Sequence, residues 1–276
     1  IRAALSTINV EASHFLRNES VESGGAISLS DGSELTLKRN DNNCINSLKC
    51  NLFDGNLSNL GGAIYIWRSQ IDISTTHFEN NRANIGTAIY SENGSNSKIE
   101  GSIFTYNGNN AIGGFNDQNV ISSYDTSEMT ITYSTFSDNN ALFDTFNLEE
   151  TANLFLYSSI IYDPSSNDVF DIKDQATYGV NCLIVHETDS FDITGAEILM
   201  ADPMFVDAAN GNYHINAVIS PAVDFCTDNL AMAQYKDIDN EDRGFDDLSV
   251  NDNLGPFDIG ADETYTNEII FENGFE

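Results

Sequence analysis

Basic residues are scarce in this chain: 11 Lys and Arg stand against 43 Asp and Glu among 276 residues, a formal net charge of -32. A surface of that sign repels phosphate backbones and anionic headgroups, which argues against nucleic acid and membrane surfaces as partners. Long apolar runs are missing as well. The longest, such as Cys182 to Val185, fall far short of the ~20 residues that a membrane-spanning helix requires. No segment of useful length places apolar residues at i, i+3, i+4 and i+7, so few helices are expected. The first residue, Ile1, is preceded by no Met or charged-then-apolar leader, the start expected of a processed product or a fragment.

What is present is enough apolar material to fold. Apolar residues make up 41%, with 17 Phe and 11 Tyr, and many sit at periodic positions, which separates this chain from acidic disordered sequences. Length alone would suit a long single domain or a repeat array. The four cysteines form an even set: Cys44 and Cys50 in a polar loop, Cys182 and Cys226 farther along. In an exported chain they imply two disulfides. Four cysteines allow three pairings, of which 44 with 50 and 182 with 226 is the favoured one. A zinc site on cysteine is disfavoured, because there is no Cys-x-x-Cys and His14, His77, His186 and His214 stand apart from one another and from every cysteine.

Two short blocks recur. Gly24-Gly25-Ala26-Ile27 returns as Gly61-Gly62-Ala63-Ile64 and, degenerately, as Gly86-Thr87-Ala88-Ile89. Phe-x-x-Asn occurs at Phe15, Phe53, Phe78, Phe104 and Phe136, with spacings of 25 and 26 in the middle of the series. Alternating stretches such as Leu35-Thr36-Leu37, Ile71-Asp72-Ile73 and Met129-Thr130-Ile131 read as strands with one buried face, separated by Asn, Asp, Gly and Ser turns. Short strands at a period of about 25 predict a coil of parallel strands, a β-solenoid. In such a stack the glycines permit the wall to bend and Phe points inward. Asn takes a left-handed turn and hydrogen-bonds to its equivalents on neighbouring rungs.

Over residues 1 to 140, the GGAI and FxxN blocks resemble the repeat of bacterial right-handed parallel β-helix surface proteins, including polymorphic outer-membrane proteins and other adhesins. Near the other end, three motifs look like the terminal segment of secreted β-helix proteins of the choice-of-anchor type. They are Asp202-Pro203-Met204-Phe205-Val206-Asp207, Asn210-Gly211-Asn212-Tyr213-His214-Ile215 and Ser220-Pro221-Ala222-Val223-Asp224. Asp258-Ile259-Gly260-Ala261-Asp262-Glu263 is similar to their closing signature. The tail from Ile270 to Glu276 resembles short C-terminal export signals. The resemblance implies an all-β, single-stranded right-handed parallel β-helix of about eight coils. Residues 1–195 would form the repeat domain and 196–276 a final coil and irregular capping segment of the same domain. It also implies secretion or display on a bacterial cell surface.

Chemistry is harder to find. The basic residues a uronic-acid lyase would need are scattered, and the motifs of pectin hydrolases are absent. So are Gly-x-Ser-x-Gly, His-Glu-x-x-His and any phosphate-binding glycine loop. No catalytic residue can be nominated. In the acidic run, Asp237, Asp239, Glu241 and Asp242 could hold calcium or form a solvated loop; the run fails the EF-hand pattern, because Asp242 occupies the place of the turn glycine. Tyr65, Trp67, Tyr90, Tyr106, Tyr124 and Tyr133 could form an exposed aromatic track: if Ile64 and Ile66 point inward, Tyr65 and Trp67 point outward, and Tyr90 stacks a period later. Whether these aromatics form a contact surface for glycan or protein or pack beneath a loop stays open. The expectation is therefore a non-catalytic adhesive or structural protein, capable of end-to-end self-association, with a carbohydrate-active enzyme as the alternative. No cofactor other than calcium is expected.

Overall fold

The early rungs of the chain are built from short strands on three faces, divided by corners that only particular backbones can turn, with a further strand pair, Leu57–Leu60 and Arg82–Ile85, at one corner. The computed structural model describes residues 1–40, 44, 49–108, 114–164, 168–186, 193, 195–227, 236–244 and 255–265. Its regular structure is almost all β: among the described residues the one helical turn is the 3-10 segment Ala208–Asn210. Strands Arg2–Ala4, Ile27–Ser30, Ile64–Trp67, Ile89–Glu92, Ile121–Ser123, Phe146–Leu148 and Phe170–Ile172 stack in parallel as a seven-stranded sheet. A second face runs from Thr7–Glu11 through Glu34–Lys38, Gln70–Ser74, Asn96–Glu100 and Glu128–Thr132. A third runs from His14–Leu16 through Asn51–Asp54, Thr76–Glu79, Ile103–Thr105 and Thr135–Ser137. The last two faces meet in the long strand Asn153–Tyr162, which pairs with both. This parallel, all-β arrangement is compatible with a β-solenoid. Stacking continues into Thr177–Val185 and then Ala196–Met200, so parallel pairing passes beyond residue 195.

The corner between the second and third faces places Ala12, Thr75, Gly101, Tyr133, Ser158 and Cys182 at positive φ, from 44° to 58°. Five of the six carry a side chain, so here the stacked sheets impose a conformation that an L-residue does not prefer. The glycine blocks serve a different corner. Gly61 has φ 62° and a Cβ there would lie 2.2 Å from the Ile64 carbonyl oxygen, while a Cβ on Gly62 would lie 2.1 Å from the Thr87 oxygen of the next rung. One glycine is required by its backbone angle and the other by the rung beside it.

The interior is a set of columns. Phe15, Phe53, Phe78, Phe104 and Phe136 stack with centroid separations of 4.6, 4.9, 4.6 and 4.3 Å. Each pair adds about 0.5–1.5 kcal/mol beyond area burial. Beside them runs an Asn ladder. The Asn56 side-chain oxygen accepts from Asn18, Asn81 from Asn56, Asn107 from Asn81 and Asn139 from Asn107, each receiving both the backbone N–H and the side-chain amide. Every amide of the buried rungs also donates back to a Phe carbonyl, as from Asn81 to Phe53 at 2.9 Å. The ladder confirms the pairing expected of these Asn residues, but not their backbone. The left-handed residue is the one before: Arg17, Gly55, Asn80, Tyr106 and Asp138. The ladder Asn needs its own N–H in line with the rung, so the residue preceding it makes the bend.

Serine forms two further ladders that the repeat blocks do not reveal. Ser33, Ser69 and Ser95 each donate a backbone N–H to the hydroxyl one rung on, at 3.2 to 3.3 Å, and Ser102 and Ser134 do the same on another corner. The Asn ladder ends on Asp163, which is fully buried and accepts from the backbone N–H and amide of Asn139 and the hydroxyl of Thr145. Burial pushes its carboxyl up to about 6 despite those bonds.

Beyond the Ala196–Met200 strand, the described part of the terminal segment lies along the flank of the coils. Ile215, Ala222, Val223, Phe225 and Ile259 pack on Ile160 and Ile184. Tyr213, Ile238 and Ala261 pack on Ile103. Hydrogen bonds tie it to rungs far apart in the stack, from the Arg39 guanidinium to the Ile238 carbonyl at 2.7 Å, the Ala261 N–H to Thr135 at 3.0 Å and the Gly260 N–H to the Ser158 carbonyl at 3.0 Å. The physical reason is the outward side of the third face, where Ile103, Ile160 and Ile184 alternate outward and would otherwise meet water. Both disulfides take the favoured pairing, with Cα–Cα distances of 5.4 Å for Cys44–Cys50 and 5.8 Å for Cys182–Cys226. The second fastens this segment to the stack.

Candidate functional site

The outward side of the seven-stranded sheet carries the aromatics singled out in the sequence. Ile64 and Ile66 are fully buried, so Tyr65 and Trp67 face out, as alternation requires. Parallel register sets Tyr65 against Tyr90 and Trp67 against Glu92. The rings stack at 5.7 Å from Tyr65 to Tyr90 and at 5.1 Å from Tyr90 to Tyr124. Of the other tyrosines named with them, Tyr124 lies outside the strand register and reaches the column from the turn after Ile121–Ser123, whereas Tyr133 is buried and Tyr106 packs against the terminal segment. Tyr65 and Trp67 are half-buried, whereas Tyr90 is sandwiched between its neighbours and only 6% exposed. Tyr90 therefore supports the surface more than it forms it.

Carboxylates hold the tyrosine hydroxyls. Glu92 accepts from Tyr65 and from Tyr90, and Glu149 accepts from Tyr124 at 3.3 Å. Burial, reinforced by Glu92, raises the Tyr65 and Tyr90 hydroxyls well above the usual phenol range, and burial with Glu149 pushes Tyr124 up to about 12. All three remain neutral donors near neutral pH. At one end this face opens into a groove of about 530 Å³ lined by Arg2, Glu22, Ser28, Asp31, Tyr65 and Trp67, among others. Arg68 lies over Trp67, its guanidinium carbon 5.1 Å from the ring centroid. Toward the other end the face turns polar. Lys173 bridges Glu149 at 2.9 Å and Asp171 at 2.7 Å, and Asn147 donates to Tyr124 at 2.8 Å. Asp144 is buried nearby; burial first, then Asp171 and Asp168, push its carboxyl up to about 6.

A surface of this make-up can stack the apolar faces of sugar rings or aromatic side chains on Trp67 and Tyr65 while Arg2, Ser28 and the acidic residues bond hydroxyls.

The acidic run does not gather as its sequence suggests. Asp237 is buried and spends its carboxylate on backbone: Oδ1 accepts from the N–H groups of Asp239 at 2.9 Å and Glu241 at 2.7 Å, and Oδ2 from Glu263 at 3.2 Å. It shapes a turn. Asp242 sits outside with Lys236 at 3.5 Å. Of the four expected calcium ligands only Asp239 joins a convergent ligand group among the described residues, with His214 and Asp262. The remaining breaks in the repeat are structural where they can be followed. Gly113 and most of the loop between Cys44 and Cys50 lie outside the described residues. Asp117, where the Gly113 insertion rejoins the stack, binds the Arg82 guanidinium at 2.7 Å within the protein. Asp246 and Asp247, and the tail from Ile270, also lie outside the described residues. Against known proteins, no family model matches this chain and no curated protein is similar to it.

Proposed function

We propose that the chain is a non-catalytic extracellular or cell-surface protein, a single right-handed parallel β-helix that uses its seven-stranded face to contact glycan or protein. The observation that carries this reading is the Tyr65–Tyr90–Tyr124 column with Trp67 beside it, opening into the adjoining groove. Right-handedness follows from the strong physical bias of parallel crossovers. Two disulfides fit an oxidising compartment. The net charge makes neutral sugars or cationic proteins better partners than polyanions. Self-association belongs to the same reading: Ile8, Val10 and Phe15 on the first rung are only partly buried, and a further rung, from the same chain or a second copy, would cover them.

The test is affinity electrophoresis and calorimetry against a panel of neutral polysaccharides and oligosaccharides. Trp67→Ala should abolish retention, or weaken it at least ~10-fold, while changing stability by less than ~1 kcal/mol. Retention that survives both Trp67→Ala and Tyr65→Ala sinks the assignment of this face. A second reading, a carbohydrate-active enzyme, is favoured by Asp144, a carboxyl that titrates near 6 beside Asp171 as a general acid would. Release of reducing ends or unsaturated sugars, lost in Asp144→Asn, would establish that reading in place of the non-catalytic one.

A further inference from the structure

Three ligand-type side chains converge in the terminal segment although they are far apart in the sequence. His214, Asp239 and Asp262 each bring a ring nitrogen or carboxylate oxygen within 4.8 Å of the other two. They arrive on three separate pieces of chain: the strand Asn212–Ile215, the turn organised by Asp237 and the closing DIGADE stretch.

Each is already oriented. The Asn212 side-chain oxygen accepts the His214 backbone N–H at 3.1 Å and also faces Nδ1 of the ring. The Asp239 Oδ2 atom lies 2.7 Å from Nε2, so an acceptor stands against each ring nitrogen; a metal ion bound at Nε2 would replace the proton there while Nδ1–H stays on Asn212. Asp262 is 2% exposed; its Oδ2 accepts the Ile215 N–H at 2.9 Å, while its Oδ1 is buried with no hydrogen-bond partner among the described residues. A bare carboxylate oxygen in the interior is costly unless something positive meets it. Burial, with Asp237 and Asp239 adding to it, holds the Asp262 carboxyl well above the usual carboxylate range against the pull of His214.

We propose that His214, Asp239 and Asp262 bind one divalent transition-metal ion of the zinc class, which clasps the three pieces of the terminal segment together. One imidazole with two carboxylates suits zinc or manganese, whereas calcium and magnesium take oxygen ligands. The outer contacts are those such a site requires. Asn212 sits on the far ring nitrogen, the Ile215 N–H on one carboxylate, and Asp237 fixes the backbone that carries Asp239. Water would complete the coordination.

The test uses the full chain without an affinity tag, stripped with a chelator and dialysed. Zinc titrated by calorimetry should bind at one ion per chain and raise the melting temperature by several degrees, with calcium at the same concentration giving no rise. His214→Gln and Asp262→Asn should each lower zinc affinity at least about tenfold while the far-ultraviolet spectrum of the stack is retained. Should Asp262→Asn fail to fold, His214→Gln, at a half-buried position, decides the matter alone. A folded chain that takes up no zinc, zinc bound equally well by His214→Gln, or stabilisation by calcium equal to that by zinc would overturn the proposal.

Discussion

On the rungs a position is filled by the same residue type again and again, and in the flank segment hardly any contact recurs. Phe53, Phe78, Phe104 and Phe136 occupy one column, and Asn56, Asn81, Asn107 and Asn139 another. Each partner is its own equivalent one turn away, so a single geometry satisfies every member. In the flank segment Tyr213 meets Asp138, Arg243 lies over Tyr133, Asp258 accepts from Thr264, and His214 faces Asp239. Polar groups there are satisfied one by one, several of them buried acids. Repetition builds scaffold and cannot single out a place for chemistry. Contacts used once can, and the convergent ligand group lies among them.

The contrast can be broken hardest from inside the stack. Phe78→Ala removes a ring packed between Phe53 and Phe104, and it should destabilise by about 3–5 kcal/mol in denaturant unfolding, because the rings above and below cannot close the gap. A loss below 1 kcal/mol would mean that the rungs do not act as a column. Removing the second disulfide with Cys182→Ala and Cys226→Ala should act on the other region. The expected cost is about 2–4 kcal/mol, read as faster amide exchange over residues 205–226 with rung amides unchanged. Equal acceleration in both regions would show that the flank segment and the stack unfold as one unit.

The smallest effect sharpens the comparison at the place where a single-use acid ends a repeated ladder. Asp163 ionises near 6 when folded, against 3.8 for an ordinary aspartate, so the folded state binds more protons than the unfolded state between those values. Its contribution to stability therefore falls as pH rises from about 4 to 6, and the protein should gain stability on acidification from pH 7 to pH 5. Asp138 adds repulsion, and the His186 ring accepts the Asp163 N–H at 3.3 Å. Asp163→Asn restores the ladder residue and removes the charge. It should stabilise by on the order of 1–2 kcal/mol at pH 7 and reduce the slope between pH 4 and 6, leaving the part due to Asp144 and Asp237. A melting temperature that falls in the variant, or a slope that does not change, would show that Asp163 is held ionised.

Much of the stack was legible before any coordinates. The FxxN spacing located the Phe column and the Asn ladder, and the alternation around Ile64 and Ile66 put Tyr65 and Trp67 on the outside. The serine ladders were not legible, because serine is also a common turn residue in this chain and a hydroxyl that bridges rungs looks no different in sequence from one that faces water. Tyr124 was among the candidate track tyrosines, but its place in the column was not legible for a related reason: it enters from a turn, outside the strand period. In the acidic run, the backbone N–H groups that claim Asp237 are invisible in the sequence, where it looks the same as its neighbouring carboxylates.

By itself the sequence determined the rung: its length, its inward Phe and Asn, and the two glycines at its tight corner. Those interactions repeat at a fixed chain separation, so periodicity records them directly. Only the tertiary structure decided that the terminal segment runs along the flank, and that His214, Asp239 and Asp262 meet there. Their meeting depends on the path of irregular chain over the outward side of the third face, where it covers outward-pointing Ile103, Ile160 and Ile184, and no period encodes that path.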